Sequence, residues 1–139
     1  MKGQDPMKKT TLCICLLLVV LLSSLLSGCT QTRVEKDSEV TLIFQYGDMN
    51  ICESLSPEES ERIKDILDGN LYTLFDGIPS CGFHKTVSLQ VGNRTYAIAS
   101  DTCHYIQDMG NLRYFTVSAE EMDYIHNLFA SYGGYFPCV

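Results

Sequence analysis

Two short segments carry the residue types that could do chemistry, Cys81-Gly82-Phe83-His84 and Asp101-Thr102-Cys103-His104. A thiolate nucleophile needs an imidazole to take its proton and a carboxylate to orient that imidazole. Cys103, His84 or His104, and Asp101 supply all three types. The same two thiols and two imidazoles, Cys81, His84, Cys103 and His104, are also a permitted tetrahedral set for zinc. Spacing argues against the metal, because adjacent Cys103 and His104 on an extended strand point to opposite faces. The plainer expectation is that the two thiols are bonded to each other, which removes both the nucleophile and the sulfur ligands. No metal, no cofactor and no catalytic residue are then expected. His126 is read as a half-buried or surface histidine at the flank of a helix, with no functional role.

What brings the two segments together is a hairpin. Val87-Ser88-Leu89-Gln90-Val91 and Thr95-Tyr96-Ala97-Ile98-Ala99 alternate around Gly92-Asn93, a two-residue loop that tolerates positive φ. If Val91 faces Arg94, Leu89 faces Tyr96 and Val87 faces Ile98, and one face becomes apolar while Ser88, Gln90, Thr95 and Ala97 share the other. Continued downward, the same ladder places Cys81 within one residue of opposite Cys103.

The remaining elements follow from periodicity and capping chemistry. Val40 to Tyr46 alternates as a first strand. Ser56-Pro57-Glu58-Glu59 is a capping box with proline at the first helical position, and Ile63, Ile66 and Leu67 follow at helical spacing until Gly69 or Asn70. Leu112 to Val117 reads as a further strand. Ser118-Ala119-Glu120-Glu121 repeats the capping box, and a second helix with the stripe Met122, Ile125, Leu128 and Phe129 runs to Gly133-Gly134. The expected order is β-α-β-β-β-α. This predicts an α+β domain in which an antiparallel sheet of about four strands carries two helices on one face.

The acidic clusters Glu58-Glu59-Glu61 and Glu120-Glu121-Asp123 fall at first helical turns, where they complement the helix dipole. Neither paired-carboxylate hydrolysis nor a calcium loop has a pattern here. Asn93-Arg94-Thr95 matches a glycosylation sequon and is read as turn chemistry. Tyr72, Phe75, Phe83, Tyr105, Tyr114, Tyr132, Tyr135 and Phe136 are mainly core material for a chain with no tryptophan, and tyrosines among them suit a protein-binding face.

The amino terminus says where such a domain works. Lys8-Lys9 follow Met7, an apolar run extends from Leu12 to Leu22, and Leu26-Ser27-Gly28-Cys29 closes it. Met7 is read as the natural start, and Met1 to Pro6 are left out of fold reasoning. This leader and box resemble those of bacterial lipoproteins. The resemblance covers about 20 to 25 residues ending at Cys29, within the leader assigned to residues 1–28, and names no fold for the rest. It implies cleavage before Cys29, a thioether-linked diacylglycerol on the Cys29 sulfur, and anchorage in the cell envelope with the domain outside the cytoplasm. Thr30, in place of Asp, resembles the signal for onward transport to an outer membrane in diderm bacteria. Residues 29–39 are then the lipidated cysteine and a flexible tether, and residues 40–139 a single domain.

Loss of Lys2, Lys8, Lys9 and Asp5 with the leader takes ten basic and 17 acidic residues to seven and sixteen, a net charge of about −9. Nucleic acid is not expected as a partner for such a chain. Of seven cysteines, Cys13 and Cys15 leave with the leader and Cys29 carries lipid, so Cys52, Cys81, Cys103 and Cys138 remain. Four cysteines in an exported domain predict two disulfides. The ladder selects Cys81–Cys103, leaving Cys52–Cys138. Together these features predict a lipid-anchored envelope module that binds a protein or small ligand, as an inhibitor, an immunity-type protector or an accessory subunit would. The alternative is a small envelope thiol-redox or Cys/His enzyme built on Cys81, Cys103, His84 and His104.

Overall fold

A computed structural model describes residues 31–73 and 79–136. The elements are β1 (Val40–Tyr46), β2 (Met49–Ser54), α1 (Pro57–Leu67), β3 (Phe83–Val91), β4 (Arg94–Ala99), β5 (Tyr105–Asp108), β6 (Arg113–Thr116) and α2 (Ala119–Ser131). The strands form one sheet in the order β2-β1-β3-β4-β5-β6, and every neighbouring pair is antiparallel. The α+β class is as expected, but the sheet has six strands rather than about four. β2 and β5 are the additions. β2 returns on β1 through the two-residue turn Gly47-Asp48, with Gly47 at φ 59°. β5 is a four-residue strand between β4 and β6.

One face of the sheet makes the core. Leu42 pairs with Leu89 and Leu89 with Tyr96, while Ile98, Ile106 and Phe115 form a parallel row on the same face. Ile63, Ile66 and Leu67 of α1 and Met122, Ile125, Leu128 and Phe129 of α2 join them in a single buried cluster. Both helices start at the expected capping boxes. The Ser56 hydroxyl accepts from the Glu59 amide at 3.3 Å and Ser118 from Glu121 at 3.2 Å, while each glutamate returns to its cap's main-chain N–H. Each box satisfies donors that a helix start otherwise leaves open. The opposite face of the sheet is lined by Ile43, Ser88, Ala97, Gln107 and Tyr114.

Two expectations need correction. The hairpin register holds from Val91↔Arg94 through Leu89↔Tyr96 to Ser88↔Ala97, but Val87 does not face Ile98. The register then shifts so that Phe83 faces Ala99, with three more residues on β3 than on β4 between the two pairs. The Ser88 hydroxyl closes this bulge by donating to the Lys85 carbonyl at 2.8 Å. The second correction concerns sulfur. One disulfide is present among the described residues, Cys81–Cys103, and Cys52 is a free, exposed thiol on the edge strand β2. Cys52 shares the outer sheet face with Ile43, turned away from the core. Cys138 and Cys29, like Phe75 and the leader, lie outside the described residues.

The stretch read as a free tether also has structure of its own. Thr32 is fully buried, and the compact unit begins at Gln31. Gln31 bridges Leu71, Thr32 N donates to the Asn70 carbonyl at 2.8 Å, and Gly69 N donates to the Thr32 carbonyl at 3.0 Å. Val34 N then donates to the Asp68 carboxylate at 2.8 Å. Residues 31–34 are therefore a strap across the end of α1. No helix among the described residues is long and apolar enough to cross a membrane.

Candidate functional site

The cysteine and histidine constellation comes together only in part. The bulge ends the ladder earlier than uninterrupted pairing would, with Ser100 N donating to the Gly82 carbonyl at 2.9 Å. Cys103 is brought back by an Asx turn in which its amide donates to the Asp101 carboxylate at 3.0 Å. The two sulfurs are bonded across a Cα–Cα distance of 6.1 Å. Neither is therefore a thiolate. His84 is turned along its own strand, its Nδ1 beside the Thr86 hydroxyl, which itself donates to the Gln45 carbonyl at 2.8 Å. His104 is exposed, and its carbonyl accepts from Val117 N at 3.0 Å. Among the described residues, the potential ligand atoms that cluster within 4.8 Å are those of Cys81, Asp101 and Cys103, without a histidine. A disulfide and one carboxylate do not make the tetrahedral thiolate and imidazole set that zinc takes.

His126 lies on α2 with its ring stacked on Phe136 at 4.2 Å between centroids. Both ring nitrogens are buried without a hydrogen-bond partner. Burial pushes its pKa below the ordinary histidine value, against the pull of the Ala99 carbonyl and the Asp123 carboxylate. It is packed against an aromatic ring rather than poised for proton transfer.

A second constellation was not foreseen from sequence. Arg33 and Val34 of the strap, with Glu35 after it, line a cleft of about 360 Å³ together with Val91, Asn93, Arg94 and Tyr96 at the β3–β4 turn. Beneath it lies a buried carboxylate. Asp108 is 2 % exposed, sits opposite Tyr96 in the β4–β5 pairing, and accepts from the Tyr72 hydroxyl at 2.6 Å and from Gly110 N at 2.9 Å. The Arg94 guanidinium lies 3.7 Å from the same carboxylate and is half exposed. Asp108 is thus ion-paired with a guanidinium that also lines the cleft. The Tyr96 hydroxyl is buried beside Arg94 without a hydrogen bond of good geometry. Burial and the bond to Asp108 push the Tyr72 hydroxyl up to about 12, so it stays a donor under ordinary conditions.

The cleft therefore presents two guanidinium groups, an amide, two valines on its walls and the Glu35 carboxylate. Guanidinium forks match carboxylate and phosphate oxygens, and the volume is that of a small-ligand site. Asp108 left no usable signal in the sequence, since a carboxylate two residues after Ile106 breaks the apolar alternation that would mark a strand. Arg33 left none either, since nothing in its neighbourhood has a period.

Compared with protein-family models, curated proteins and solved structures, the chain gives no match.

Proposed function

We propose that the protein is a lipid-anchored, extracytoplasmic module of the bacterial cell envelope that works by binding rather than by catalysis. Its ligand carries a carboxylate or phosphate group and is held in the cleft between the strap and the β3–β4 turn. The lipid on Cys29 is proposed from the leader and box. The observation that carries the binding reading is Arg94, ion-paired with buried Asp108 and lining the cleft together with Arg33. A cation pre-positioned in this way loses little freedom when an anion arrives. Asn93 adds an amide, and Glu35 at the cleft offers an acceptor to a ligand amine or hydroxyl.

Candidate reactive groups elsewhere have structural engagements. Cys81 and Cys103 are bonded to each other, Glu59 and Glu121 close capping boxes, and His126 is stacked under Phe136. Nothing in this geometry favours the thiol-redox or Cys/His enzyme reading.

Titration of the folded protein with small carboxylates, amino acids and inorganic phosphate, followed by amide chemical shifts, tests the proposal. Saturable shifts at Asn93, Arg94 and Val34 are expected, and Arg33→Gln, which touches neither Asp108 nor the core, should abolish them at unchanged stability. Absence of saturation with every anion, or an unchanged response in Arg33→Gln, contradicts the anion-binding assignment.

A further inference from the structure

We infer that the domain lies against the lipid surface along its β6 edge, rather than being displayed away from it on a free spacer. The inference rests on the proposed lipid attachment at Cys29 and adds an orientation that the attachment alone does not supply.

The length of chain between anchor and fold is the first argument. Gln31 is bridged to Leu71, and Thr32 exchanges main-chain bonds with Gly69 and Asn70 while its hydroxyl accepts from Asn70 N at 2.8 Å. Only Thr30 stands between docked Gln31 and Cys29. Two residue steps reach at most about 7 Å even when fully extended. A lipid on Cys29 then holds the Leu71 region within about one residue-pair's reach of the headgroups, closer than a ten-residue spacer would.

The second argument is where exposed apolar side chains sit. Residues 71–73 run beside β6, with Tyr72 bridging Phe115 and Thr73 N donating to the Tyr114 carbonyl at 2.7 Å. Leu71 is 66 % exposed and Leu112, which directly precedes β6, is 64 % exposed. The exposed large tyrosines, Tyr46 at 52 % and Tyr135 at 45 %, meet edge to face beside the β1–β2 hairpin at the opposite edge of the sheet. Aliphatic side chains thus mark the anchor edge and aromatic ones the far edge.

Charge agrees with this division. Arg113 lies over the Tyr72 ring at 5.7 Å on the β6 edge, a cation over an aromatic beside two leucines. The far edge carries acid, with exposed Asp48 in the β1–β2 turn and exposed Glu53 on β2. Leucine with arginine suits a headgroup boundary, and an acidic surface is repelled by an anionic one. The occupant of the β6 edge is accordingly the bilayer itself, and the Tyr46 and Tyr135 edge is left facing outward.

The chain has no tryptophan, so one introduced indole is a clean reporter. Full-length protein is matured in a bacterial host, and the diacylglycerol on Cys29 is verified by mass. Leu71→Trp, Leu112→Trp and Tyr46→Trp are then reconstituted in phosphatidylethanolamine and phosphatidylglycerol vesicles whose acyl chains are brominated. The expected result is a blue-shifted emission and loss of most intensity for Leu71→Trp and Leu112→Trp, with Tyr46→Trp unaffected. Equal quenching at all three sites, or none at Leu71 and Leu112 in lipidated protein, overturns the orientation while leaving lipid anchorage intact. A mature chain without diacylglycerol removes the anchorage and the orientation together.

Discussion

The Thr32 hydroxyl accepts from Asn70 N in a fully buried position, so Thr32→Val leaves that amide without its partner. An unsatisfied buried donor costs about 1–3 kcal/mol, and urea unfolding of Thr32→Val should show a loss of that order. His126 adds a pH dependence. Its cation is disfavoured in the folded state by burial, with His104 adding repulsion, while Asp123 and the Ala99 carbonyl oppose them. The unfolded chain therefore takes up the proton first as pH falls. The contribution is complete above the unfolded histidine value of about 6.5 and is lost as pH drops from there toward the lower folded value. Unfolding midpoints compared at neutral and mildly acidic pH should show this loss, and His126→Leu should flatten the part of it that belongs to His126.

At the scale of elements, the Cys81–Cys103 bond ties the segment entering β3 to the loop before β5, with a sequence separation of 22 residues. Chain-entropy reasoning gives about 3 kcal/mol for a loop of that span, so the double change Cys81→Ser with Cys103→Ser should lower unfolding stability by about that amount. It should leave anion binding at the Arg33 and Arg94 cleft unchanged, since the bond lies at the other end of the hairpin from Gly92-Asn93. The β1 bounds, both capping boxes, the turn-proximal hairpin register and this bond were legible in the sequence, because each rests on local pattern. β2 was not, because Met49 and Ile51 are its only apolar inward residues, although Gly47-Asp48 was a usable turn signal. β5 was hidden by Asp108, a charged residue at an inward position of a four-residue strand. The bulge in β3 left no sequence mark, and it changed the route by which Cys81 reaches Cys103 without changing the partner. Of the cleft, Arg33 was illegible for a different reason: the strap's order comes from hydrogen bonds to residues 68–70, more than thirty positions away.

For the whole molecule, the leader and box carry the proposed address, and the domain supplies a cleft and two chemically unlike edges. With the leader removed as proposed, the chain keeps a net charge of about −9, and such a domain held near an anionic surface would gain from turning its leucine and arginine edge inward. The strap also forms the Arg33 wall of the cleft, so the proposed membrane attachment and the proposed ligand site meet in the same few residues. The most direct test of a lipid-anchored, disulfide-stapled binding module is intact and peptide-level mass spectrometry. The protein is taken from the membrane fraction of a bacterial host and alkylated without reductant. The account predicts a chain beginning at Cys29 with diacylglycerol on its sulfur, a peptide linking Cys81 to Cys103, and alkylation at Cys52. A retained leader, or free thiols at both Cys81 and Cys103, would contradict it and return attention to thiol chemistry beside His84 and His104.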